Sequence, residues 1–277
     1  MILKGKELDN NKTYIMAILN LTPDSFYDGG RLFFNDNVDV DKVLKKVEEL
    51  INDGADIIDI GAQSTRPGYS EVGFDEELRR LLPALRKIRE NFDIPISIDT
   101  YMPEVARTVI NEDVDIINDI GFLSDEMLTV ITDSSVNYCL VHNRNVKVNR
   151  DEESITIDEV NNELHNKINR LREYGVDDSR IIIDPGIGFG KSNKDDIMIL
   201  RNIDSIKIHN LPILVGASNK SCIEYICKTD ISDRLEGTLA ITARAFFAGA
   251  SFIRVHDVRS NKMFLRMLSE VDYDNRY

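Results

Sequence analysis

One repeated pattern limits this chain more than any other feature. Short apolar runs rich in Ile and Val occur at Tyr14–Leu19, Asp56–Ile60, Pro95–Ile98, Asp115–Ile117, Tyr138–Val141, Arg180–Ile183, Pro212–Val215 and Phe252–Val255. They do not alternate apolar with polar residues, so they read as strands buried on both faces. Between them lie stretches with helical spacing. Val40, Val43, Leu44, Val47, Leu50 and Ile51 follow the i, i+3, i+4, i+7 rule, and Leu78, Leu81, Leu82, Leu85 and Ile88 do the same. Acidic residues precede or open both (Asp39 and Asp41; Asp75 to Glu77), as suits the positive end of a helix dipole. Weaker helical patterns cover 103–111, 125–132, 158–173, 194–205, 233–249 and 260–270.

About eight strands alternating with about eight helices in roughly 250 residues predict a (β/α)8 TIM barrel; an open doubly wound sheet is the alternative that the same alternation allows. No linker, low-complexity segment or composition shift interrupts the pattern, so residues 1–277 are expected to form a single domain. The polar stretch Asn143–Ser154 predicts a long loop after the fifth strand.

Composition excludes several classes of function. The net charge is −14, with 34 basic against 48 acidic residues. That balance opposes non-specific binding to nucleic acid or anionic membranes, so neither is an expected partner. The three cysteines, Cys139, Cys222 and Cys227, have neither Cys-x-x-Cys spacing nor a nearby histidine pair, which argues against a disulfide framework and a zinc site. The first ten residues carry charges where a secretory segment needs an apolar run, and no stretch approaches a membrane span; a cytoplasmic location is expected.

In such a barrel the active site lies at the carboxyl ends of the strands. The residues just past each run are Asn20, Gly61–Gly68, Asp99, Asn118-Asp119, His142-Asn143, Asp184–Lys191, Gly216–Lys220 and His256-Asp257. The opposite ends carry ordinary turn formers such as Gly54, Pro95, Asp178, Pro212 and Gly249. Arg31, Arg66, Lys191, Lys220, Arg254 and His256 fall on or beside the first set, which predicts local positive charge and an anionic ligand. Gly186-Ile-Gly-Phe-Gly-Lys-Ser192 looks like a phosphate-binding loop, but Pro185 occupies the place of the first glycine of G-x-x-x-x-G-K-[ST]. It also fails G-x-G-x-x-G, because residue 191 is lysine.

Taken in order, these loops resemble the dihydropteroate synthase family. The motifs are Asn20-Leu-Thr-Pro-Asp-Ser-Phe26 with Asp28-Gly-Gly30, Asp59-Ile-Gly-Ala-Gln-Ser-Thr-Arg-Pro-Gly68, Ser97-Ile-Asp-Thr100, Ile117-Asn-Asp119, Asp184-Pro-Gly-Ile-Gly-Phe-Gly-Lys191, Ser218-Asn-Lys-Ser221 and Arg254-Val-His-Asp257. Each is weak alone; all seven in order, from about residue 14 to 258, are specific. The resemblance implies a pterin-binding TIM barrel, a homodimer using magnesium, and a transferase blocked by sulfonamides. Its small-molecule substrates would be 6-hydroxymethyl-7,8-dihydropterin diphosphate and p-aminobenzoate, its products 7,8-dihydropteroate and pyrophosphate.

The resemblance also carries over residue roles. Asp184 would be the two-oxygen acceptor for the donor edge of the pterin, a match that the chemistry of an aminopyrimidinone supports independently. Asp99, Asn118 and Lys220 would complete pterin binding. Asn20, Arg254 and His256 would hold the pyrophosphate, with Asn20 facing the magnesium, and Asp99, Lys220, Arg254 and His256 would be catalytic. Thr65, Arg66, Pro67, Phe189 and Ser221 would form the p-aminobenzoate pocket. The loops at about 21–37 and 62–74 would cover the site. An arylamine is neutral at pH 7, so no Cys, Ser or His nucleophile is expected.

Three segments depart from the family pattern: Ala62-Gln63 for Gly-Glu, Val141-His-Asn-Arg-Asn145 for a Met-His-Met type, and Asn219 for the arginine of Ser-Arg-Lys-Ser. Asn219 removes a guanidinium beside Lys220 and bears on p-aminobenzoate affinity. The competing readings are a pterin-binding barrel without synthase activity and a methyltetrahydrofolate methyltransferase. Asn20, Lys220, Arg254 and His256 disfavour the first, and Ser64–Pro67 with Lys220-Ser221 the second.

Overall fold

A computed structural model describes residues 1–9, 12–23, 32–34, 37–63, 72–144, 154–206, 208, 210–216 and 218–271. Eight parallel strands make one sheet: β1 Tyr14–Asn20, β2 Ile57–Gly61, β3 Ile96–Asp99, β4 Ile116–Asp119, β5 Asn137–Val141, β6 Ile181–Asp184, β7 Leu214–Gly216 and β8 Phe252–Val255. The order is β6-β5-β4-β3-β2-β1-β8-β7, and a parallel bridge between Ile183 and Ile213 brings its two ends together. The sheet is therefore a barrel, as the alternation predicts, and not an open doubly wound sheet.

Nine α-helices are described: α1 Val40–Asn52, α2 Phe74–Asn91, α3 Pro103–Val109, α4 Asp125–Thr132, α5 Ile157–Glu173, α6 Asn193–Arg201, α7 Ser221–Cys227, α8 Leu235–Phe247 and α9 Val258–Val271. Their starts are encoded locally. Asp39, Ser124, Thr156 and Ser192 each accept a hydrogen bond from a first-turn backbone N–H, and Thr156 with Glu159 and Ser192 with Asp195 form capping boxes. The extra helix, α7, buries only Cys222 and Ile223, two adjacent residues, so it leaves no apolar period in the sequence.

Strand alternation sorts the core into two shells. Outward residues such as Ile15, Ala17, Ile58, Ile60, Ile96, Ile98, Leu140 and Ile183 pack against the helices in one large cluster. Inward residues at the amino-terminal half of the barrel (Met16, Ile57, Ile116, Cys139, Ile182, Leu214 and Phe252) form a second apolar cluster, with Leu3 of the Ile2–Leu3/Lys6–Glu7 hairpin packed into it. Two residues further along several strands, the same inner face turns polar: Asp59, Asn118, Asp184 and Arg254. The core thus ends part-way up the barrel, and the carboxyl-terminal mouth is lined with charge.

Candidate functional site

Arg254 is the hub of that mouth. Its Nε donates to Asp59 Oδ2 at 2.6 Å, and its Nη2 donates to Asp99 Oδ2 at 2.5 Å. Asp59 is fully buried, and its Oδ1 has no hydrogen-bond partner among the described residues. Burial works against the guanidinium charge, but the two carboxylates beside it outweigh burial and raise the pKa of Arg254. Burial pushes the Asp99 carboxyl up to about 7; Arg254 opposes this and Asp59 adds to it.

The next strands supply the neighbours in register: Gly61 pairs with Asp99, Asp99 with Asn118, and Asn20 with Gly61. A Cβ at Gly61 would lie 3.5 Å from Asp99 Cβ and 3.7 Å from Asn20 Oδ1, so glycine there lets the two polar side chains share one corner. Asn118 is buried, and its Oδ1 lacks a partner among the described residues.

On the other side, Asp184 Oδ1 accepts from Gly186 N–H at 2.6 Å. Burial raises its pKa, while that hydrogen bond and Lys220 hold the rise back. Asp184 Oδ2 and Lys220 Nζ both border Gly216, at 3.8 and 3.9 Å from where a Cβ would stand. Lys220 Nζ sits 4.8 Å from the centre of the Phe189 ring, and burial lowers its pKa. Ser221, at the start of α7, bonds Asn193 at 3.0 Å. His256, just past β8, places Nδ1 2.9 Å from Ser218 Oγ.

The structure therefore brings together Asn20, Asp99, Asn118, Asp184, Lys220, Arg254, Phe189, Ser221 and His256 around one mouth. Thr65, Arg66 and Pro67 lie outside the described residues, as do Arg31 and most of the two covering loops. Among the described groups the expected positive face is narrower than the sequence implied. Arg254 is neutralised by two carboxylates, and Lys191 is 3% exposed with its ammonium turned onto backbone carbonyls. His142 faces away from the mouth, its Nε2 2.9 Å from Glu163 of α5; burial pulls its pKa down to about 3, so the ring is neutral.

Two participants had no role in the sequence reading. Asp59 and Arg254 are the two charges inside apolar runs, and a buried charge needs a partner; each is the other's, 195 residues apart. Glu77, in the first turn of α2, is fully buried, with neither carboxylate oxygen in hydrogen-bond geometry among the described residues and Thr100 as the hydrogen-bonding group beside it. Burial pushes it up to about 7, and its charge acts in turn on Asp99. It falls four residues before Leu81, on the buried face of α2, and that spacing was the available signal.

With this geometry in place, similarity to known proteins decides the family. Residues 16–256 match the model of the pterin-binding enzyme family. The chain is 43% identical over 271 residues to the dihydropteroate synthase of Clostridium beijerinckii, covering 96% of this chain and 97% of that one. It belongs to the dihydropteroate synthase family. Among solved structures, it is similar to the Clostridium difficile dihydropteroate synthase determined in the presence of pteroic acid, with a TM-score of 0.85 and 39% identity over 94% and 96% of the two chains. It is also similar to the Xanthomonas albilineans enzyme with 4-aminobenzoic acid, with a TM-score of 0.87 and 32% identity over 96% of each chain. Family members at this level of likeness share the barrel along its whole length.

Proposed function

We propose that this transferase joins 6-hydroxymethyl-7,8-dihydropterin diphosphate to p-aminobenzoate, releasing pyrophosphate and forming 7,8-dihydropteroate. The observation that carries the reading is the convergence of the Asp184 carboxylate and the Lys220 ammonium on Gly216, a two-oxygen acceptor and a cation beside one open backbone position. A pterin presents a planar pair of N–H donors beside a carbonyl, which that arrangement complements. The buried amide of Asn118 offers a further partner for the ring.

Asp99 is assigned to the reacting methylene. In the reading favoured here the methylene–oxygen bond breaks first, its electron pair leaving with the diphosphate. The resulting carbocation is held beside Asp99, and the amine lone pair closes the new carbon–nitrogen bond as a proton is lost. Preorganised charge is the main source of stabilisation for such a step. Arg254 and His256 are assigned to the departing diphosphate. Phe189 and Ser221, with Thr65, Arg66 and Pro67, are assigned to the p-aminobenzoate ring and carboxylate. A secondary isotope effect well above unity at the methylene is expected when chemistry limits the rate.

Magnesium fits this reading in a restricted form. Among the described residues no group of three His, Cys, Asp or Glu side chains could hold a metal. Asn20 offers one neutral oxygen beside Asp99, a donor set suited to a magnesium ion that takes its remaining ligands from diphosphate and water. When bound, it would neutralise charge on the leaving group. A homodimer is supported by the exposed apolar side chains Ile226, Ile231, Phe247, Met263 and Met267 on and around α7, α8 and α9. No described helix is long and apolar enough to cross a membrane, and a cytoplasmic location belongs to the same proposal.

The test is pyrophosphate release from the pterin diphosphate with and without p-aminobenzoate. Release that needs p-aminobenzoate and stops with a sulfonamide supports the synthase. Pterin binding without release would instead make the chain a pterin carrier.

A further inference from the structure

Lys191 closes the segment that looks like a phosphate loop, yet its ammonium is directed at the protein itself. Nζ donates to the carbonyl oxygens of His142 at 2.7 Å, Gly186 at 2.8 Å and Phe189 at 2.9 Å. No carboxylate is within ion-pair distance of it among the described residues; Asp184 and Asp196 act only from further away. Burial costs an ammonium several kcal/mol, and here three charge-assisted hydrogen bonds to neutral oxygens offset that cost.

The cage is built by backbone. Gly186, Gly188 and Gly190 all have positive φ, at 69°, 86° and 60°. A Cβ at Gly186 would stand 1.9 Å from His142 O, and one at Gly190 would stand 1.8 Å from Arg144 O, so the loop after β6 is pressed onto the loop after β5. Carbonyl oxygens converging on a cation with no carboxylate in direct contact are the donor set by which proteins replace the hydration shell of a monovalent ion.

The cage also fixes the site. Phe189, whose carbonyl Lys191 holds, donates its own N–H to Gly186 O at 3.1 Å and presents its ring to Lys220. Gly186, held by its carbonyl, donates its N–H to Asp184. One ammonium thus tethers the acceptor and the aromatic face at the same time.

We propose that Lys191 is a tethered monovalent cation: a positioning residue whose ammonium fills a carbonyl cage between the β5 and β6 loops, and which potassium or ammonium ion can replace when the side chain is cut back. The positioning role rests on the synthase reading; the cage does not.

The experiment compares wild type, Lys191→Ala and Lys191→Met in tetramethylammonium chloride, with potassium or ammonium chloride titrated in at constant ionic strength. Pyrophosphate release and the thermal midpoint are both followed. The alanine variant is expected to lose roughly 10–100-fold in kcat/KM through misplacement of the site, and to recover activity and midpoint saturably as either ion is added. The methionine variant, whose side chain occupies the cage, is expected to be impaired without recovery, and wild type to be indifferent. If the alanine variant is recovered only when purified in potassium, that too supports the cage. Lys191→Gln keeps a donor without the charge, so wild-type activity in Gln, or an alanine variant indifferent to the ions in both readouts, overturns the proposal. If wild type itself releases no pyrophosphate, the synthase reading fails, while the thermal midpoints still decide the cage.

Discussion

The two ends of the barrel use buried polar groups in opposite ways. At the amino-terminal end Asp115 accepts from Lys4 N–H at 2.8 Å, from Arg89 Nη2 at 2.6 Å and from Ile96 N–H at 2.9 Å. Asn137 donates to the carbonyls of Ile2 and Asp115, tying the hairpin across the barrel floor. At the carboxyl-terminal end Asp59, Asn118 and Glu77 keep oxygens without partners among the described residues, and Asp99 and Glu77 are both pushed up to about 7. At the floor the Asp115 carboxylate is fully engaged, although Arg89 Nε has no hydrogen bond among the described residues and lies 4.0 Å from Asp113 Oδ2. An engaged carboxylate stabilises a fold, whereas an unsatisfied one costs stability and persists where a ligand completes it. The comparison assigns folding to the floor and chemistry to the mouth.

The largest expected effect breaks the floor. Asp115→Ala removes an acceptor shared by two backbone donors and by Arg89, which keeps its bond to Ile94 O, and losing one member of this largely buried pair costs about 3 kcal/mol. Chemical denaturation should show that loss, with pyrophosphate release per folded molecule unchanged.

A smaller effect sharpens the mouth. The Glu77 carboxyl releases its proton near 4.5 when unfolded and near 7 when folded. The unfolded chain therefore binds fewer protons between those values, and stability falls as pH rises through that window, then levels off above it. Glu77→Gln removes the penalty: relative to wild type it should gain on the order of 1–3 kcal/mol at about pH 8, and much less near pH 4. Unfolding curves at the two pH values measure the difference.

The smallest effect concerns specificity. Asn219 holds φ of 56°, a region that asparagine tolerates better than most residues, and its carbonyl accepts from Arg234 at 2.8 Å. Asn219→Arg should change KM for p-aminobenzoate by several-fold and leave KM for the pterin diphosphate nearly unchanged. Steady-state kinetics in both substrates checks this.

Most of the barrel was legible because every strand carries its own apolar run and most helices their own period. The strand predicted at Arg180–Ile183 forms at Ile181–Asp184, one residue along, which moves Asp184 from the loop onto the strand. Residues placed just past a strand by the sequence were gathered at the mouth because parallel register aligns strand ends. What was not legible are the long-range choices. Nothing local shows that Arg254 is shared by Asp59 and Asp99 or that Lys191 turns onto carbonyls, and the inward turn of Glu77 was signalled only by its helical spacing from Leu81. Each depends on which surfaces meet across the fold.

The most direct test of this division is equilibrium unfolding of Asp184→Asn alongside pyrophosphate release. The amide keeps an acceptor for Gly186 N–H while removing a buried charge, so stability should equal or exceed that of wild type and release should be abolished. A stability loss as large as that of Asp115→Ala, with release retained, would contradict this division.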